Sequence, residues 1–288
     1  MSHFSVAVIS KTPEDVERLL APYQENNMGD CPKEYLVFED EEEQHRKDYE
    51  TGHREMVKTP EGKLLNPWDE VFRKKGTFGI GPETHEIPPN CQIIHIPHKE
   101  AYPTFEAFMD KYNGYSERDS EMGRYGYWYN PNTKWDYWSI GGRWSGLLKA
   151  KKGNYYNRPG FYDQAQIKDI DFSVDPEQYA RAERFWEVVV EGLPLRDGEK
   201  KEDFSFFYKP SHYLELYEKK ENYAAENAKL QIWALVDPNG EWYEKGSMGW
   251  WGMHDGSAET FQSFNKEWDT LLSAISPEYF LTIIDCHI

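Results

Sequence analysis

Cysteine is scarce in this chain: Cys31, Cys91 and Cys286 are the three in 288 residues, odd in number and far apart. That pattern fits a reducing compartment better than a disulfide framework. Long apolar runs are missing as well. No segment approaches the ~18 consecutive apolar residues of a membrane-spanning helix. The start MSHFSVAVIS has no basic region ahead of an apolar stretch, so neither export nor membrane insertion is expected and a cytoplasmic location is. Basic residues are in deficit. With 33 Lys and Arg against 51 Asp and Glu, the formal charge is −18, which opposes direct binding to nucleic acid or to an anionic membrane. Catalytic signatures are lacking too: no GxSxG, HExxH or paired CxxC occurs, so no motif nominates a catalytic residue, cofactor or metal ligand. The chain shows no internal repeat, and no biased segment beyond the acidic run Glu39-Asp40-Glu41-Glu42-Glu43.

What it does have is aromatic mass. Hydrophobic residues reach only 39%, but 11 Trp, 20 Tyr and 15 Phe supply large buried area per residue and argue for an ordered core. Residues 3–9 (HFSVAVI) read as a mostly buried strand. Thr12-Pro13-Glu14-Asp15 then offers an N-cap, a proline at the first helical position and early acids that suit the helix dipole. Residues 26–61 are poor in apolar groups and read as a solvated insertion with a short strand near 35–38. A second strand is expected at 91–96 (CQIIHI), and a short helix at 104–113 closed by Gly114. Asp175-Pro176-Glu177-Gln178 opens a helix to Glu191, and a second helix is expected from Ser211 to about Lys229.

The C-terminal part carries the clearest pattern. A strand at 232–236, turn chemistry at Asp237-Pro238-Asn239-Gly240 and a return strand at 241–244 make a hairpin. Phe261, Phe264, Trp268, Leu271, Leu272 and Ile275 recur at helical spacing, and FLTIIDC at 280–286 closes the chain as a strand. Together these predict an α+β fold: a ferredoxin-like antiparallel sheet with helices on one face and a large aromatic-rich central insertion. The core is expected from 1–25, 91–114 and 230–288. Residues 26–90 are then an acidic solvated insertion, and 115–229 an aromatic-rich, helical one.

Two clusters invite a binding role. In Trp135-Asp136-Tyr137-Trp138-Ser139-Ile140-Gly141-Gly142-Arg143-Trp144, three tryptophans flank a Gly-Gly turn that lets the backbone pass close to something. Arg143 is able to form a bidentate pair there, with Asp136 as a candidate partner. The cluster suits a planar or anionic ligand, or equally a packed corner whose rings fill the core. Trp250 and Trp251, among glycines and methionines at 246–253, suit a binding edge or an inward-packed bulge. Among the histidines, His3 and His287 would converge with Cys286 if the terminal strands pair. Cys286 on a terminal strand also suggests a subunit contact in a homo-oligomer.

Ser2-His3-Phe4, the run Leu20-Ala21-Pro22-Tyr23-Gln24-Glu25-Asn26, the block Lys134 to Trp144, Met248-Gly249-Trp250-Trp251-Gly252 and the ending Asp285-Cys286-His287-Ile288 resemble a widespread family of uncharacterised proteins of tailed bacteriophages and prophage-bearing bacteria. Tyr137-Trp138 stand in the reverse of that family's order. The resemblance implies an accessory phage product acting in the infected host's cytoplasm, and the size and charge are similar in class to phage inhibitors of defence nuclease complexes such as Gabija. The leading expectation is thus a non-enzymatic inhibitor whose partner is a bacterial host protein, such as a DNA-processing defence complex. It would be contacted by acidic surface with Trp135, Asp136, Trp138, Arg143, Trp144, Trp250 and Trp251 as anchors. A second is a protein that sequesters a nucleotide signal, with Trp135, Trp138 and Trp144 stacking a base and Arg143 holding phosphate. A third is a metal-dependent enzyme using His3, His254 and His287.

Overall fold

The apolar run after Ser2 forms β1 (His3–Ser10), in which every residue from Phe4 to Ser10 is buried. A strand apolar on consecutive positions has no face for water and must lie inside a sheet covered on both sides, and β1 does. The computed structural model describes residues 2–74, 84–151, 161–206, 208–249 and 252–288. Within these the chain divides into two compact units, one of residues 1–36 with 130–288 and a smaller one of residues 37–129.

The larger unit is built on a six-stranded mixed sheet. Its other strands are β2 (Tyr137–Ile140), β3 (Gln164–Gln166), β4 (Ala234–Val236), β5 (Trp242–Glu244) and β6 (Phe280–His287). The order is β3-β6-β1-β4-β5, with β2 also paired to β6. β1 and β6 run antiparallel over their whole length, from His3 opposite His287 to Ser10 opposite Phe280. On the other side β1 pairs in parallel with β4, Val6 opposite Ala234 and Val8 opposite Val236. The helices are α1 (Val16–Leu20), α2 (Pro176–Val189), α3 (Pro210–Tyr217), α4 (Lys220–Asn227) and α5 (Ala258–Ala274).

The α+β class holds, but the ferredoxin-like order does not. That topology inserts the returning hairpin strand between two parallel strands; here β4 itself lies against β1 and β5 takes the edge. The reason lies in the side chains, because Ala-Leu-Val of β4 is buried throughout whereas Trp-Tyr-Glu of β5 is half-buried, as an edge requires. The helices are also not confined to one face. Phe4, Val6 and Val8 pack against Val16, Leu19 and Leu20 of α1, while Ala7 and Ile9 share the opposite core with Phe264 of α5.

Three further expectations are corrected. The aromatic-rich stretch is no insertion apart from the core, since β2 and β3 both pair with β6. The expected helix 211–229 breaks at Glu218, whose φ of 65° is left-handed, so that α3 and α4 are separate. The strand at 92–97 does not join the central sheet: it pairs with His53–Lys58 inside the smaller unit, where Ile93 remains exposed. A short apolar run does not reveal which sheet it belongs to.

In the smaller unit, the acidic run leads into a helix, Glu42–Thr51, rather than into solvated coil. Acids at a helix start are favoured by the dipole, and these have partners as well. Arg118 Nε lies 3.2 Å and Arg46 Nη2 2.7 Å from the Glu42 carboxylate, and Tyr115 Oη donates to Glu41 at 2.5 Å. The core beside them holds Tyr102, Phe105, Phe108, Met109 and Tyr125, with Tyr49 of the helix against it.

Burial pushes the Glu42 carboxyl up, but Arg118, Arg46 and the Tyr125 N–H outweigh it and bring it down to about 2. A folded pKa below the ordinary 4.5 means stability that is fully present above that value and is lost as the pH falls toward 2. Glu42→Gln is therefore expected to cost about 1–3 kcal/mol at pH 7 and to flatten this acid dependence, so that variant and parent converge near pH 2. Hydrogen exchange of smaller-unit amides against pH reads the effect, and equal slopes for the two proteins would contradict it.

Candidate functional site

The Gly-Gly turn after β2 does pass close to something, and that something is the protein's own carboxylates. Gly141 (φ 70°) and Gly142 (φ 50°) are left-handed, where side chains are strained. A Cβ on Gly141 would lie 2.5 Å from the Asp163 carboxyl carbon, and one on Gly142 2.4 Å from Cβ of Asp285. Asp163 accepts from Ser145 Oγ at 2.9 Å and from the Gly146 N–H at 2.5 Å. Asp285 Oδ2 accepts from the Arg143 N–H at 2.9 Å, and its Oδ1 is 2.8 Å from Nδ1 of His3. The motif so fixes Asp285, and Asp285 fixes His3.

Beside this pair sits a second one. His287 Nδ1 is 2.6 Å from Asp136 Oδ1, and the His3 and His287 rings, opposite each other across β1 and β6, lie 4.8 Å apart edge to face. The terminal strands therefore converge as expected for the two histidines. Cys286 does not join them, because alternate residues of a strand face opposite ways. Its side chain is buried in the core on the α1 side, where burial pushes the thiol well up. It is unavailable as a surface subunit contact: β6 is paired on both sides and is no edge.

His3 lines a cavity of about 420 Å³ between the first half of β1, α3, α4 and the start of α5. The size suits a small organic ligand. Its walls are rings: Tyr208 stacks on His212 at 4.1 Å, Trp233 packs on His254 at 4.7 Å, and Tyr217 meets Tyr223 at 5.0 Å. Burial pushes the phenols of Tyr213, Tyr217 and Tyr223 upward, so these walls stay neutral. One wall carries a buried ion pair, Lys245 Nζ to Glu226 Oε1 at 2.5 Å, with Asn265 Nδ2 donating to the other Glu226 oxygen at 2.9 Å. In a chain of net charge −18, this cavity is lined by three histidines and a lysine against a single carboxylate.

The predicted anchors are scattered relative to this site. Trp135 is 5% exposed, packed in the core below α1 with Nε1 donating to the Leu20 carbonyl, so its faces are covered. Trp138 packs on that same face of the sheet and Trp144 on the other, so the three rings do not stack one ligand together. Among the described anchors only Trp144 reaches the cavity. Asp136 pairs with His287 and not with Arg143, whose side chain is exposed without an ion pair among the described residues. Trp250 and Trp251 lie outside the described residues. Of the proposed metal trio, His3 and His254 share the cavity, but among the described residues no three His, Cys, Asp or Glu side chains are placed to hold a metal ion.

The residues missed were those of the walls. Tyr213 and Tyr217, four positions apart, share one face of α3, but nothing in the local sequence tells which segments that face meets. No family model, curated protein or solved structure matches the chain. Among the described residues no helix is long and apolar enough to cross a membrane.

Proposed function

We propose that this chain is a binding protein that captures a small, ring-bearing molecule in the cavity on the β1 face. The observation that carries the reading is a recess rich in aromatic side chains in which several polar groups are held by neighbours, His3 by Asp285, His254 by Gly256 and Glu226 by Lys245 and Asn265, a composition that favours stacking with oriented hydrogen bonds. Capture of a nucleotide signal is one form of this activity, with the rings of α3 and β4's flank joining Trp144 in the stacking role expected of Trp135, Trp138 and Trp144. A thermal-shift screen of aromatic and heteroaromatic compounds, cyclic and linear nucleotides among them, is expected to give saturable stabilisation. Absence of any stabilising compound, together with no small molecule released on denaturing the purified protein, would remove the proposal.

A specific feature also favours contact with a basic protein surface, of the kind a phage inhibitor makes on a defence nuclease. A recess lined by Glu17, Asp30 and Asp136 has no basic residue in its lining, and Tyr137 beside it is 58% exposed. Burial first, and then the nearby Asp136 charge, push the Glu25 carboxyl up. Plaque assays on hosts carrying individual defence systems test this reading, which fails if expression of the chain rescues phage growth on none.

A further inference from the structure

Two histidines on the cavity have their tautomers set by neighbours, in opposite senses. An ionised carboxylate only accepts hydrogen bonds, so His3 Nδ1, 2.8 Å from Asp285, carries the hydrogen; in the neutral ring Nε2 is then an acceptor. Asp285 is held in turn by the Arg143 N–H and does not line the cavity, whereas His3 does. At His254 the backbone N–H of Gly256 donates to Nδ1 at 3.1 Å, so Nδ1 is bare and Nε2 carries the hydrogen. Burial and the neighbouring His212 push the His254 imidazole down, which keeps it in this neutral form. Neither Nε2 has a hydrogen-bond partner among the described residues. With His3 neutral, the cavity is lined by one imidazole whose Nε2 accepts and one whose Nε2 donates, among walls of rings.

We propose that the site selects a planar heteroaromatic ring bearing both a hydrogen-bond donor and an acceptor on its perimeter, as a nucleobase does, with the ring's N–H directed to His3 and its carbonyl or bare nitrogen to His254. This rests on the cavity being a small-molecule site. A purely apolar ring would satisfy the stacking walls but strip water from two imidazole nitrogens without replacing it, and sites built around hydrogen bonds reject analogues that lack the matching group. The Gly141-Gly142-Arg143 corner acquires a functional role on this view. It holds Asp285, which locks His3 as the acceptor.

The test is calorimetric titration of the full chain with adenosine, cytidine, guanosine and uridine, with toluene as an apolar ring, and with the N-methylated counterpart of whichever nucleoside binds: N6,N6-dimethyladenosine, N4,N4-dimethylcytidine, 1,N2,N2-trimethylguanosine or 3-methyluridine. At least one nucleoside is expected to bind, and its methylated form at least tenfold more weakly. Two variants separate recognition from folding. In His3→Asn the amide nitrogen takes the place of Nδ1 and still donates to Asp285, and in His254→Asn the amide oxygen still accepts from Gly256, but each removes Nε2. Each is expected to weaken nucleoside binding at least tenfold with the melting temperature kept. If toluene or the methylated compound binds as well as the nucleoside, or if both variants bind normally, the donor and acceptor assignment is wrong while the cavity remains a ligand site. If aromatic compounds of the wider screen bind but none of the four nucleosides does, this inference alone falls; if no ring binds at all, both fall.

Discussion

Lys245→Ala is expected to destabilise the larger unit by about 3–5 kcal/mol, among the largest effects of any single substitution here. Lys245 is 5% exposed, and its ammonium lies 2.5 Å from Glu226 and 5.3 and 5.4 Å from the Phe261 and Phe264 ring centres. Taking the lysine away leaves a carboxylate in the interior with Asn265 as its remaining close donor. Replacing both partners by methionine removes the desolvation of both charges at once, so the double variant should recover to within ~1 kcal/mol of the parent.

The pH dependence gives a second signature of the same pair. In the parent, burial pushes the Glu226 carboxyl up but Lys245 and Asn265 more than compensate, so it lies below 4.5. Its contribution is present above that value and lost as the pH falls. Without Lys245 only burial and Asn265 act strongly, the folded pKa moves above the unfolded one, and the sign reverses: the variant gains relative stability on acidification and loses it as the pH rises through the new pKa. Urea unfolding at pH 5 and pH 7 measures both effects. A Lys245→Ala protein as stable as the parent at pH 7, or a double variant no better than the single one, would show that the pair is solvated.

Trp135→Ala should cost about 3–5 kcal/mol, from lost transfer energy and the cavity left behind, while leaving affinity for any ligand of the β1-face cavity unchanged. The indole sits among Phe4, Val16, Leu19 and Leu20 and does not line that cavity. Trp135→Phe keeps most of the volume and loses the Nε1 hydrogen bond to Leu20, so a smaller cost of ~1 kcal/mol plus a packing defect is expected. Measured together, unfolding and ligand titration distinguish a core indole from a stacking platform. Unchanged stability with lost affinity would return Trp135 to the role its neighbours in sequence suggested.

That role was a natural inference and shows where sequence reasoning stops. Trp135, Trp138 and Trp144 are close in sequence, but Gly141 and Gly142 turn the chain between the last two, which end on opposite faces of one sheet. The reason for the Gly-Gly pair was half visible: close approach was legible, and the identity of the approaching groups, Asp163 and Asp285, was not, since they come from 22 and 143 residues beyond Gly141 and Gly142 (163 − 141 and 285 − 142). Likewise the pairing of His3 with His287 followed from two terminal strands, but nothing local announced that each imidazole would take its own aspartate.

Local chemistry settled a good part of the fold on its own. β1 and β6, the hairpin turn in which Asp237 accepts from the N–H of Asn239 and Glu241, the capped start of α2 and the apolar stripe of α5 are dictated by side chains within a few residues of each other. Tertiary structure decided the rest: that β4 and not β5 lies against β1, that the acidic helix and the 92–97 strand belong to a unit of their own, and that rings from α3 and α4 meet His3, His254 and Lys245 around one cavity. The physical reason is one of range. Hydrogen bonding, capping and periodicity act over a handful of residues, whereas a site is an alignment of distant segments, chosen by which faces bury together and which buried charges find partners.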